Sequence, residues 1–94
     1  MARRLVKFQA DWCAPCHALD PLVERLAGYY DLPLERVDVD QDPVRAEQAG
    51  VRGLPTIVLY DGDEELARTT GARIFGALER ELGLKALDRV PASG

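Results

Sequence analysis

A strand-like run over residues 4–10 stops just before Trp12-Cys13-Ala14-Pro15-Cys16-His17, and a helical spacing of Leu19, Leu22, Val23, Leu26 and Ala27 leaves it. The chain therefore turns from strand to helix at its only two cysteines and its only histidine. Two cysteines separated by two residues on the opening turn of a helix bring their sulfurs close enough for a small intramolecular disulfide. So short a loop constrains the unfolded chain little, and the pair reads as a redox centre rather than a staple. A helix N-terminus offers unpaired N–H groups and a partial positive charge, both of which favour thiolate over thiol. Pro15 suits that first turn because its missing N–H would have had no helical partner. The donors facing Cys13 come from residues such as Cys16, whose own side chain lies a turn deeper. That asymmetry assigns the attack to Cys13 and the resolution to Cys16.

Leu5, Val6 and Phe8 make residues 4–10 a central strand. Pro21 removes a backbone donor from the following helix and predicts a bend, and Gly28 before Tyr29-Tyr30 marks its end. Residues 34–39 read as a second strand. Asp42 then caps a short helix that opens on Pro43 and stops at Gly50. A loop over 51–56 leads into the strongest strand, 56–60, and Asp61-Gly62-Asp63 turns the chain into a hairpin with 65–69. The last helix is expected over 73–82, with Ile74, Phe75, Leu78 and Leu82 inward and Gly83 behind it. Residues 84–90 extend it or pack as an extra turn, and 90–94 form a loose tail. The order β-α-β-α-β-β-α, with a right-handed crossover followed by a hairpin, predicts an α/β fold built on a four-stranded mixed sheet flanked by helices.

The 94 residues suffice for a single domain and are too few for two. A formal net charge of -4 without any block of like charge argues against a nucleic-acid surface. No run approaches the roughly 18 apolar residues needed to span a bilayer, so no membrane partner is expected. Arg3, Arg4 and Lys7 break up the opening apolar run, which reads as no signal peptide. The expected compartment is the cytoplasm, where a disulfide is usually catalytic or transient.

Trp12-Cys13-Ala14-Pro15-Cys16 resembles the active-site pentapeptide of the thioredoxin family, with Ala in place of its usual Gly. Pro21 sits at the family's helix proline, Arg52-Gly53-Leu54-Pro55-Thr56 resembles its cis-proline loop, and Gly71 matches the glycine after its last strand. The resemblance covers roughly residues 4–83 and implies the thioredoxin fold in a short form, without the family's N-terminal strand and helix. It implies a cis bond before Pro55, with the Leu54 backbone free to pair with an extended substrate segment. Trp12, Ala14, Pro15, Gly53, Leu54, Pro55, Gly71 and Ala72 would then form a flat, mostly apolar substrate surface. It also implies protein disulfides as substrates and an NADPH-dependent flavoprotein reductase as electron source. No cofactor beyond the Cys13–Cys16 dithiol and no metal is expected, and the chain is expected to act as a monomer.

The main departure is Lys7, which stands where the family has a buried aspartate below the resolving cysteine. Lys7 either stabilises the thiolate and makes the disulfide easier to reduce, or snorkels to the surface with no role. Asp11 is the nearest other carboxylate in sequence, and Arg36 matches a family lysine near the buried acid. His17 either modulates the thiol or lies on the solvated face of the first turn. Cys13 to His17 also fits the C-x-x-C-H pattern of c-type haem attachment, but the only methionine that could serve as a second axial ligand is Met1. A zinc site would need a third and a fourth ligand, and His17 is the only imidazole available. The function expected is thiol-disulfide oxidoreductase, a protein-disulfide reductase acting by dithiol exchange at Cys13 and Cys16. Two other readings are a glutathione-dependent, glutaredoxin-like oxidoreductase and a thioredoxin-like interaction module that no longer catalyses.

Overall fold

Leu5, Val6 and Phe8 place apolar side chains on both faces of one strand, which therefore needs cover on both faces and partners along both edges. In the computed structural model, which describes residues 2–84, that strand is β1 (Arg3–Gln9). It pairs in parallel with β2 (Leu34–Asp38), setting Phe8 opposite Val37. On its other edge it pairs antiparallel with β3 (Thr56–Asp61), setting Val6 opposite Val58. β4 (Glu64–Thr70) pairs antiparallel beyond β3, so the sheet order is β2-β1-β3-β4. The parallel pair requires a crossover, supplied by α1 (Ala14–Tyr29). α2 (Pro43–Gln48) links β2 to β3, and α3 (Phe75–Glu81) follows β4. The mixed four-stranded sheet flanked by helices is the one the sequence predicts.

Strand alternation divides the core. Leu5, Ile57 and Leu59 pack with Leu19, Val23 and Leu26 of α1 and Leu78 of α3, all buried. Val6, Phe8, Val37 and Val58 form a second cluster on the opposite face, against Ala46, Ala49 and Val51. By the same alternation Lys7 shares the α1 side with Leu5.

Local signals act where the sequence places them. The Asp42 carboxylate accepts the Arg45 N–H at 3.3 Å, Pro43 opens α2, and Gly50 closes it at φ 67°. Arg68 of β4 reinforces that closure by donating to the carbonyl of Ala49 at 2.6 Å, a long-range cap that no local pattern announces.

Two expectations are corrected. Gly28 lies inside α1, and the left-handed residue after the helix is Asp31 at φ 55°, beyond which the Leu32 N–H returns to the Ala27 carbonyl at 2.8 Å. A short polar side chain tolerates that conformation better than most. Ile74, expected inward, is 73% exposed, because the last helix starts two residues later than predicted and Ile74 is its extended N-cap. A residue outside the helix does not follow the helical period, so Ala77, Leu78 and Leu82 carry the buried face. The extension expected beyond residue 84 and the loose tail at 90–94 lie outside the described residues.

Candidate active site

Cys13 is the N-cap of α1, in extended conformation (φ −88°, ψ 99°), with Pro15 in the first turn. The helix therefore begins at the first cysteine, and its free N–H groups point back at that sulfur. The Cys16 N–H donates to Cys13 Sγ at 3.2 Å. The two sulfurs form a disulfide across a Cα–Cα separation of 5.2 Å. Both cysteines are buried, against Ala10, Val39 and Leu54. They differ in outlook: Cys13 lines an open groove, while Cys16 lies behind it.

The groove has a volume of about 600 Å³. Trp12, Cys13, Ala14 and Pro15 line it from the motif, and Arg52, Gly53 and Leu54 from the loop before β3. Val39, Ala46 and Val51 complete the lining, and no sequence motif points to them. They lie at the end of β2, on α2 and in the loop after it, and meet only when β2 pairs beside β1. Arg52 is the one cation in an otherwise mostly apolar lining.

Pro55 follows a cis peptide bond to Leu54 and is buried. Its carbonyl accepts the Gly71 N–H at 2.8 Å, which fastens the loop to the end of β4, where Gly71 takes φ 93°. Thr56 Oγ1 donates to the Gly53 carbonyl at 2.6 Å, and a Cβ at Gly53 would press on the Thr70 methyl at 3.1 Å. Gly71 supports this loop through that bond, and neither it nor the exposed Ala72 lines the groove.

Trp12 is 70% exposed, and its indole N–H donates to Asp40 Oδ2 at 2.8 Å, holding the ring at the groove's rim. His17 is also exposed, and its Nε2–H donates to the Asp11 carbonyl at 2.8 Å, bracing the turn before the motif. Asp11 contributes its backbone here, and its side chain is exposed.

Lys7 does not snorkel. It is 1% exposed, and its ammonium donates to the Cys16 carbonyl at 2.8 Å, to Gln9 Oε1 at 2.7 Å and to Asp20 Oδ1 at 2.9 Å. The strand that holds Lys7 is covered on both faces, so the charge must find acceptors inside. Asp20, which no motif singles out, stands one helical turn beyond Cys16 and also accepts two bonds from the Arg36 guanidinium, at 2.9 and 3.1 Å. Arg36 first, and Lys7 with it, hold the Asp20 carboxyl below the usual carboxylate range against an opposing cost of burial. A signal for Asp20 was available: a lysine in an apolar central strand needs a counter-ion, and the helix that crosses it carries one at this spacing.

Residues 2–83 match the family model described as Thioredoxin. The chain is 40% identical over 72 residues to the thioredoxin of Chlamydia muridarum, covering 73% of this chain and 69% of that protein. It is 36% identical over 80 residues to the bifunctional thioredoxin reductase/thioredoxin of Mycobacterium leprae, which takes in 83% of this chain and 18% of that protein. Its structure superposes on that of a mutant thioredoxin from Halobacterium salinarum with a TM-score of 0.79 at 37% identity, over 88% of this chain and 74% of the other.

Proposed function

This chain belongs to the thioredoxin family and is a thiol-disulfide oxidoreductase, and from that premise we propose how its residues divide the work. The reduced Cys13 sulfur, as thiolate, attacks one sulfur of a substrate protein's disulfide. The other substrate sulfur leaves with the bonding pair and takes up a proton, and Cys13 is left in a mixed disulfide. The Cys16 thiolate then attacks Cys13, releasing the second substrate sulfur and closing the Cys13–Cys16 disulfide. Two electrons pass to the substrate, and the chain is left oxidised.

One observation supports this order above the rest: Cys13 lines the groove and receives a backbone N–H at 3.2 Å, while Cys16, 1% exposed, lies behind it. An incoming disulfide meets Cys13 first, and Cys16 attacks only within the motif. The Leu54 backbone beside cis-Pro55 is suited to pair with an extended substrate segment, with Trp12, Ala14, Pro15 and Gly53 as apolar neighbours. A flavoprotein reductase that uses NADPH then regenerates the dithiol, a pairing carried by the name of the bifunctional Mycobacterium leprae relative. No cofactor beyond the dithiol is required. The chain works as a cytoplasmic monomer, and no helix among its described residues is long and apolar enough to cross a membrane.

The test is a trap. A Cys16→Ser variant should accumulate a mixed disulfide through Cys13 when mixed with oxidised insulin, and the wild-type chain should speed insulin reduction by dithiothreitol. Trapping through Cys16 in a Cys13→Ser variant would reverse the roles.

A further inference from the structure

The exchange just described uses nothing on the sheet side of the disulfide, yet that side holds a buried charge. Lys7 lies in mid-strand between Val6 and Phe8, and each of its three ammonium hydrogens has an acceptor: Gln9, the Cys16 main chain and Asp20. An ammonium has three donors and no acceptor, so this group is committed entirely as a donor and a cation. Behind it the charges alternate outward. Asp20 meets Arg36, and Arg36 meets Glu24 at 2.5 Å. The member of this chain that touches the redox motif is the cation.

We propose that Lys7 is a positioning residue for the redox pair: docked on the Cys16 carbonyl and anchored by Asp20, its ammonium raises the reduction potential of the Cys13–Cys16 disulfide. The inference rests on exchange at that pair. Reduction breaks the sulfur–sulfur bond with two electrons from a dithiol or thiol donor and leaves two sulfurs, each an anion until it takes a proton. The disulfide itself is neutral. A fixed cation beside the motif therefore lowers the energy of the reduced form more than that of the oxidised form, and burial strengthens the effect by removing screening water.

Asp20 acts in the other direction. It holds Lys7 in place, but its own charge disfavours a second anion nearby. The two ends of one ion pair then pull the potential with opposite signs. A simple structural brace behaves differently, because losing either end loosens the same turn.

Potentials should be measured by equilibrating wild type, Lys7→Met, Asp20→Asn and Arg36→Gln in glutathione redox buffers at pH 7. The reduced fraction is read by alkylation and mass, and thermal unfolding reports which variants fold. Lys7→Met should lower the equilibrium constant for reduction about tenfold, which is a potential more negative by about 30 mV. Asp20→Asn should shift it the opposite way. Arg36→Gln leaves Asp20 less neutralised and should move the potential in the Lys7→Met direction by a smaller amount. Arg36 is a partly exposed surface residue, so that arm stays readable where a buried variant does not fold. An unchanged potential in Lys7→Met, or in Arg36→Gln where Lys7→Met does not fold, overturns the proposal. So do shifts of equal sign in Lys7→Met and Asp20→Asn. Wild-type insulin reduction is independent of every arm, so a failure here is distinct from a failure of the exchange reaction.

Discussion

The two sides of the Cys13–Cys16 disulfide are built from opposite materials. On the groove side are an exposed indole, Ala14, Pro15 and a glycine-leucine loop, open to solvent and carrying few hydrogen bonds of their own. On the sheet side are a fully buried ammonium, a carboxylate and a guanidinium, each satisfied by the next. Exposed apolar surface held in place by a rigid scaffold serves a partner, whereas a buried ammonium saturated by its acceptors and backed by partly exposed counter-charges serves the fold and the potential. The difference teaches that catalysis and stability should separate by side: groove substitutions should cost rate, and sheet-side substitutions should cost folding free energy.

The largest test of that separation is Cys13→Ser. Insulin reduction should fall to the rate of dithiothreitol alone, while urea unfolding of the variant matches that of reduced wild type to within about 0.5 kcal/mol. A large loss of stability would break the comparison at its centre. Next is Lys7→Ala, which takes the Lys7 donor from Gln9 and the Cys16 carbonyl and leaves Asp20 to Arg36 alone. It should lower unfolding free energy by about 1–3 kcal/mol, the usual cost of stranding buried polar groups. A change below about 0.5 kcal/mol would mean that the sheet side is as dispensable to folding as the rim. Trp12→Ala comes third, because the ring is 70% exposed and makes one hydrogen bond, to Asp40. It should reduce kcat/KM for a protein disulfide about three- to tenfold, as truncating an interface tryptophan does. Its unfolding midpoint in urea should stay near that of wild type.

The groove side was legible in the sequence to the extent that it is local. Cys13, Pro15 and Cys16 announce themselves by spacing and Asp42-Pro43 announces a helix start, because each effect acts within a few residues, whereas Gly71 was placed only by the family resemblance. The cis bond at Pro55 was legible only through family resemblance, since an isolated X–Pro bond gives no local reason to be cis. Val39, Ala46 and Val51 were not legible, because they reach the groove through the parallel pairing of β2 with β1. The sheet side was half legible. Lys7 stood out as a departure from the family's buried aspartate, but its partner Asp20 depends on how α1 crosses the sheet, and the snorkelling alternative fails because β1 is covered on both faces. Ile74 shows the reverse error, where a helical period was extended past the residue at which the helix begins.

The smallest effect concerns pH and sharpens the comparison from the acid side. Asp20, Glu35 and Glu65 are each held below the ordinary values of 3.8 for Asp and 4.5 for Glu, chiefly by Arg36, Arg45 and Arg68 in turn. A carboxyl whose folded-state pKa is depressed binds fewer protons in the folded state than in the unfolded one. Its contribution is complete above the unfolded value and is lost as pH falls through the folded one. Stability of the chain should therefore decline below about pH 4.5. Asp20→Asn should flatten that decline, since one of the groups responsible no longer titrates. Trp12→Ala and Cys13→Ser should keep the wild-type slope of unfolding free energy against pH. The slope is the quantity to compare, because Asp20→Asn also changes stability at neutral pH by leaving Lys7 with a weaker partner. A slope unchanged by Asp20→Asn would show that the Lys7–Asp20–Arg36 chain does not carry its charge differently in the folded and unfolded states, and the ionic account of the sheet side would fall with it.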